Sequence, residues 1–291
     1  MKRFMICATI LALLCVPMYA QTVSDQVTNI SDKNKGYLQP LVDAFGADLN
    51  SGLYHTARVH DFLGIDVGVR VMFALIPSDK LTFMGYPPSG SPVQTATVFG
   101  GVGTAIQAGN PFQFPDGVDQ RTLSIAVPQA SVGLIMGTEA LVRYVPPVRF
   151  NANVGEVSFY GIGLKHSLSQ YFPVLPLDVA LHGSYQHLLL KNKQGGSLVT
   201  ADAYVYGLIA SKKFEFFTLY GGVGAESSKM TLDYTYSYQL PNLALHYDLE
   251  GQNKMRYAIG ASVKIVIFDV SIDYTLADQP VLTLGASLTV R

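Results

Sequence analysis

Asp178, His182 and Ser184 fall on alternate positions of the stretch LDVALHGSYQHL, so on an extended chain all three side chains leave the same face. An acid, an imidazole and a hydroxyl on one face are the groups of a hydrolase. Residues two apart on a strand, however, have Cα atoms about 6.5–7 Å apart, and a nucleophile needs its base within hydrogen-bond reach. The chain has no Gly-x-Ser-x-Gly elbow and no His-Glu-x-x-His pair. The two glycine-rich stretches GGVGTA (from Gly100) and GGVGAE (from Gly221) lack the third glycine and following helix of a dinucleotide fingerprint, and read as strand glycines. His55 and His60 flank Arg58 and have the types of metal ligands, but read as solvated loop histidines. No enzyme, metal or cofactor is expected.

What remains for chemistry is a set of polar residues that alternate with apolar ones. Asp66, Arg70, Asp178, His182, Gln186, Asp202, Arg256, Lys264, Asp269 and Asp273 all sit in such segments and are expected to line one common interior. Asp269 and Asp273 are expected within reach of Arg256 or Lys264. A salt-bridged lining is the simplest role for the set, because a charge left alone in such a wall costs several kcal/mol, on the order of 3 to 5.

The elements that carry these residues are strands. In FDVSIDYTL, Phe268, Val270, Ile272, Tyr274 and Leu276 share one face and Asp269, Ser271, Asp273 and Thr275 the other. LGIDVGVRVMFALI alternates in the same way from Leu63 to Ile76, which is long for a globular strand and suits a tilted membrane strand. Further strands are expected near 121–128, 130–145, 155–169, 177–190, 197–212, 214–226, 229–240, 254–265, 267–276 and 280–290. Short turns join many of them, as in an up-and-down meander.

Composition decides what the apolar faces meet. Charged residues are 14% of the chain, where about 25% is usual, and mean hydropathy is +0.26. Yet after Ala20 no apolar run approaches the roughly 20 residues of a membrane helix. An apolar chain without a spanning helix fits a transmembrane β-barrel. Tyr144, Tyr171, Phe172, Phe214, Tyr220, Tyr238, Tyr257 and Tyr274 are expected in interfacial girdles.

The N-terminus agrees with export. Lys2 and Arg3 precede a 13-residue apolar run, Phe4–Val16, and Ala20 offers a cleavage site. Cys15 follows bulky Leu14, which does not suit lipidation. Both cysteines, Cys7 and Cys15, lie in this segment, so disulfides and thiol chemistry are not expected beyond it. Without Lys2 and Arg3, 18 basic residues face 21 acidic ones, and with no basic stripe nucleic acid is not an expected partner. Leu38, Leu41, Val42, Phe45 and Leu49 then form a helical stripe, with Pro40 in the first turn and Asn50 and Gly52 closing the end.

The stretch PLVDAFGADLNSGLYHTARVHDFLGIDVGV, Pro40 to Val69, resembles the start of an uncharacterised outer-membrane barrel family of Bacteroidota. The residues that carry the resemblance are Asn50, Ser51, Gly52, Tyr54, Thr56 and Ala57, followed by Leu63-Gly64-Ile65-Asp66. A looser, architectural likeness is to the long-chain fatty-acid transporters, whose N-terminal hatch plugs the barrel. The expectation is therefore an all-β, antiparallel up-and-down barrel of about 12 strands (10–14) with a short N-terminal helix as plug or cap. Residues 1–20 would be a signal peptide, 21–60 a leader and plug-like helix, and 61–291 the barrel in the outer membrane. Its partners would be membrane lipid and a small, hydrophobic solute passing through the lumen; a structural or surface-interaction barrel is the alternative, and a lipid-modifying enzyme within the barrel the third reading.

Overall fold

The computed structural model describes residues 32–88, 90–106, 112–149, 155–172, 174–191, 195–236 and 243–290. The expected signal peptide, its cleavage site, the leader up to Ser31 and the girdle position Tyr238 lie outside these residues. A short 3₁₀ turn (Asp32–Tyr37) leads into helix α1 (Gln39–Leu49). Strand β1 (Ile65–Leu75) follows, then an insertion with β2 (Thr82–Gly85), β3 (Val93–Ala96), β4 (Ala105–Ile106) and β5 (Phe112–Gln113). The remaining strands are β6 (Thr122–Gly133), β7 (Thr138–Val148), β8 (Glu156–Ser167), β9 (Asp178–Lys191) and β10 (Ser197–Phe214). They are completed by β11 (Phe217–Tyr236), β12 (Leu243–Glu250), β13 (Met255–Ile265), β14 (Phe268–Leu276) and β15 (Val281–Val290).

Ten of these strands form a closed antiparallel ring. Neighbours run β10-β9-β8-β7-β6-β1-β15-β14-β13-β11, and β11 pairs back onto β10. Closure leaves no unpaired edge, the condition for a sheet to span a bilayer. The eleventh member, β12, stands outside the ring and extends the far half of β11 as a hairpin, from Lys229↔Glu250 to Tyr236↔Leu243. The barrel thus has ten strands rather than about 12. The expected break between 226 and 229 is absent: β11 runs on through it, because Ser227 and Ser228 preserve the alternation that their polarity seemed to break, and residues 237–240 of the second expected strand lie outside the described residues. The boundary expected near 129 lies at residues 134–137 instead. Pro128 is accommodated inside β6 because the ladder to β7 starts only at Gln129↔Arg143, so the missing N–H falls where that pairing ends.

Alternation maps onto the wall as the sequence pattern requires. On β14, Phe268, Val270, Ile272 and Leu276 are exposed outward, whereas Asp269, Ser271, Asp273 and Thr275 are buried inward. On the outer face of β10 the apolar positions run from Tyr204 to Phe214, interrupted by Lys212 next to the end. At about 3.3 Å per residue and a tilt near 40°, they mark a band about 25 Å tall, the height of an outer-membrane hydrocarbon belt. Tyr144, Tyr171, Phe172, Phe214 and Tyr257 are exposed on this outer surface, and Tyr274 partly so. Tyr220 is not a girdle residue. It shares its parity with Gly222 and Gly224, is buried, and donates to Asp273 Oδ2 at 3.1 Å inside the ring.

The two ends of the ring differ. At one, turns of residues 134–137, 168–177, 215–216 and 266–267 join the strands. At the other lie the 76–121 insertion, the β11–β12 hairpin and helix α1. The helix packs on β1 and β6 from one side and on β10, β11 and β12 from the other, so its apolar stripe is covered all round rather than on one face. Leu38, Leu41, Val42 and Leu49 join Met72, Ala74, Val127, Ala203 and Met230 in the main apolar core. Gly46, poor for a helix, fits because Ser228 of β11 lies where its Cβ would be.

Candidate functional site: the charged interior

After Leu49 the chain turns, with Gly52 in the left-handed region at φ 67° where a side chain would also strike Thr283. It then runs along the inner faces of the strands to the short-turn end, where Leu63 N–H donates to Gly133 O at 2.9 Å. An extended segment leaves its backbone groups unpaired, and burial would make each costly. The wall supplies the partners. Arg143, fully buried on β7, donates from Nη1 to Leu49 O (3.0 Å), from Nη2 to Ser51 O (2.7 Å) and from Nε to Gln129 Oε1 (2.9 Å). Arg256 Nη1 donates to Asn50 O (2.7 Å), and Gln129 Nε2 to Leu53 O (2.9 Å). Lys165 Nζ donates to Thr56 O (3.1 Å) and Arg58 O (3.0 Å), while Ala57 N–H donates to Ser211 Oγ (2.9 Å).

The two arginines do a second thing. Leu49 O and Asn50 O are among the last carbonyls of α1, which have no partner within the helix. Two guanidinium groups there satisfy these carbonyls and complement the negative end of the helix dipole. Charge is balanced locally: Arg256 pairs with Glu226 (2.9 Å), Lys165 with Glu139 (3.2 Å), and Glu139 also accepts from His60 Nδ1 (2.8 Å) and His60 N–H (3.2 Å). Arg70 Nη2 donates to His55 Nδ1 at 2.9 Å, which leaves the proton of His55 on Nε2, 3.6 Å from Asp269 Oδ1. A guanidinium only donates, so this contact requires the neutral imidazole. Both histidines expected in a solvated loop are therefore interior groups.

Of the expected lining, Asp66, Arg70, Gln186, Arg256, Asp269 and Asp273 are buried on the inner face, and Asp178, His182 and Lys264 share its parity with partial exposure. Asp66 accepts from Thr289 Oγ1 at 2.6 Å and lies 3.5 Å from Arg70. The expected pairing of Arg256 with Asp269 or Asp273 gives way to Glu226, because Arg256 lies opposite Gly224 on β11, beside Glu226. Lys264 stands opposite Asp269 in register, with no ion pair between them among the described residues. Asp202 is a correction. On β10 it alternates with the buried Ala201 and Ala203 and so faces outward, accepting from Tyr185 Oη (2.6 Å) and paired with His187 Nδ1 (2.8 Å). Asn50, Ser51, Gly52, Tyr54, Thr56 and Ala57 all belong to the interior segment, with Ser51 Oγ accepting from Arg256 at 2.8 Å and Thr56 Oγ1 within 3.2 Å of Ser211 Oγ.

Gln129, Glu139, Arg143, Lys165 and Glu226 carry much of this network and were not among the expected residues. The signal was present: Glu139 and Arg143 share with Leu141 the face opposite Ala140, Val142 and Tyr144 on β7, and Lys165 continues the parity of Gly161 and Gly163 on β8. For Gln129 the strand boundary expected there obscured it.

Beside the interior segment lies a cavity of about 60 Å³, lined by residues that include Asn50, Tyr54, His182, Tyr220, Arg256 and Asp273. Glycine makes the space. Gly224 lies opposite Gly207 and Gly222 opposite Ile209, so the wall has almost no side chains there. The glycines of GGVGAE are therefore strand glycines. Those of GGVGTA are not: they belong to the insertion loop, where a Cβ on Gly100 or Gly103 would meet the carbonyls of Leu81 or Phe114. Tyr54 Oη, His182 Nδ1 and both amide atoms of Asn50 have no hydrogen-bond partner among the described residues. Among the described residues His182 Nδ1 and Ser184 Oγ have no hydrogen-bond partner, so Asp178, His182 and Ser184 form no triad there.

A family model described as "Family of unknown function (DUF6588)" matches residues 1–290. No curated protein sequence matches the chain. Among solved structures the chain is similar to Ail, the attachment invasion locus protein of Yersinia pestis (12% identity, 78% of this chain and 96% of that one, TM-score 0.28). It is similar to the Pseudomonas putida toluene transporter TodX (10% identity, 84% and 92% covered, TM-score 0.24). It is also similar to the β domain of the Bordetella autotransporter BrkA (8% identity, 77% and 99% covered, TM-score 0.32).

Proposed function

We propose, for a chain that belongs to this family of unknown function, that it is an outer-membrane conduit whose lumen is plugged by Gln39–Asp61, and that a small solute passes beside the plug. The observation that carries this reading is the cavity between the segment and the glycine-faced wall. Its size sets the solute. A cavity of about 150 Å³ accepts benzene, so about 60 Å³ admits water or a solute of a few heavy atoms. A larger hydrophobic solute requires the segment to move off the wall. The mixed lining, which includes Leu53 and Ile209 as well as Arg256 and Asp273, suits a small molecule with one polar end.

The density of bonds between segment and wall supports a second reading, a structural barrel that conducts nothing. Proteoliposome swelling and planar-bilayer conductance separate the two. Under the conduit reading the wild type admits the smallest solutes, and a variant with Arg143→Met and Arg256→Met admits larger ones. If that variant still migrates as a folded, heat-modifiable barrel and both proteins are impermeable to every solute, the structural reading replaces the conduit.

A further inference from the structure

We infer that the short-turn end of the barrel is a lipid-docking surface, its turns seated among the acyl chains of the adjoining leaflet rather than in water. Turns that face water are built from glycine, asparagine, aspartate and other polar residues. Here the four turns together comprise 18 residues, and Glu215 is their one charged side chain. The side chains they present are large and apolar. Met136 is 79% exposed, Val174 93% and Val266 85%, with Ile135, Phe172 and Phe216 beside them in the same turns.

The backbone makes the same point independently. Met136 (φ 57°) and Val266 (φ 58°) occupy the left-handed region in these turns, and Leu63 (φ 60°) does so where the chain passes the same rim. This conformation disfavours side chains, and β-branched ones most of all. Glycine or asparagine would relieve it. At the long-loop end the same demand is met by Gly90, Gly195 and Asp119. In the short turns Gly137 (φ 63°) and Glu215 (φ 33°) meet the same demand, but Met136 and Val266 meet it with an apolar side chain where glycine or asparagine would serve, which points to a use for that side chain.

Continuity identifies the occupant. On β13 and β14 the outward residues Ile265 and Phe268 belong to the lipid-facing band, and Val266 and Ile267 carry it around the turn without a polar break. The apolar rim is carried by the turns 134–137, 168–177 and 266–267; at the β10–β11 hairpin it is broken by the exposed Lys212, Lys213 and Glu215. In barrels of this class the short turns lie on the periplasmic side, so the leaflet is the inner one. The lower mouth of the interior would then open at acyl depth.

The chain contains no tryptophan, so one introduced indole reports alone. Full-length Met136→Trp, Val174→Trp and Val266→Trp, with Asp278→Trp at the opposite end as control, are reconstituted into phosphatidylcholine vesicles with or without bromine on the acyl chains. The three turn variants should emit at shorter wavelength than the control and lose most of their emission in brominated bilayers, while the control responds to aqueous acrylamide instead. Should the turn variants be quenched by acrylamide like the control and spared by bromine, the inference fails and the surface faces water or a protein. Asn at both 136 and 266, which suits the left-handed backbone, guards against misfolding as the explanation. In a Val174→Trp background it should keep heat-modifiable migration and reduce bromine quenching; unchanged quenching would count against the inference.

Discussion

Replacing Arg143 by methionine removes the fork that holds the end of α1 while keeping an apolar stem of similar length. Three acceptors lose their donor: Leu49 O, Ser51 O and Gln129 Oε1. A hydrogen bond from a charged donor contributes about 1.5–3 kcal/mol, and the cation at the helix end adds up to about 2 kcal/mol in a buried setting. Against these stands relief from burying a guanidinium that has no ion pair of its own, worth several kcal/mol. Gln129 Nε2 still holds Leu53, and Arg256 still holds Asn50. The net local loss is about 3 kcal/mol, roughly a 100-fold rise in the open population of residues 49–58. Hydrogen–deuterium exchange read by mass spectrometry should show that acceleration in peptides covering 49–58, with β14 and β15 unchanged. Arg143→Lys should fall between, because a point charge cannot reach three acceptors set as a fork. Unchanged exchange at 49–58 in the methionine variant, or equal acceleration in every strand, would refute the role assigned to Arg143.

Gly46→Val should push α1 off β11, since its side chain meets Ser228, and cost about 1–3 kcal/mol in thermal unfolding followed by gel migration; Gly46→Ala combined with Ser228→Gly should recover most of it. Asp48, fully buried on α1, has its carboxyl pushed well above the usual range by that burial. The unfolded chain releases this proton near pH 3.8 and the folded chain only at higher pH, so stability falls as pH rises between those points. Asp48→Asn should therefore stabilise the barrel at pH 7 and lose the advantage as the pH approaches 4. Urea midpoints compared between pH 7 and 4 check this.

The wall was legible in the sequence because alternation is a local property. Each of Asp66, Arg70, Asp269 and Asp273 could be assigned a face from its immediate neighbours. Asp202 could not, since Ala201, Ala203 and Val205 on the inner face and Tyr204, Tyr206 and Leu208 on the outer are both apolar, and the alternation then carries no sign. Tyr220 misled for a related reason: an aromatic near a strand end suits a girdle, but here it fills the interior across from Gly260. The partners of the charges were not legible at all. Arg256 finds Glu226 through strand register, and Arg143 finds the carbonyls of Leu49 and Ser51 across 92 to 94 residues of chain. Main-chain acceptors leave no trace in side-chain identity.

That last point constrains how the interior segment can be used. Six wall bonds end on its carbonyls, at Leu49, Asn50, Ser51, Leu53, Thr56 and Arg58, and six more on amide N–H groups or side chains of Ser51, His55, Thr56, Ala57 and His60. Wall side chains therefore recognise the path of the segment as well as its sequence, and residues of 50–58 that contribute only a carbonyl can change while the path is kept. The exceptions are set by shape. Gly52 is needed for its left-handed turn against Thr283, and Tyr54 stands edge-on to His182 at 5.5 Å with Lys165 Nζ 4.8 Å from its ring centre. Leu53→Ala should thus preserve the path and widen the cavity it lines, whereas Gly52→Ala should break the path although it changes less volume. Exchange at 49–58 would separate them, slow in Leu53→Ala and fast in Gly52→Ala. The reverse order would mean that side-chain packing, not main-chain capture, holds the segment in place.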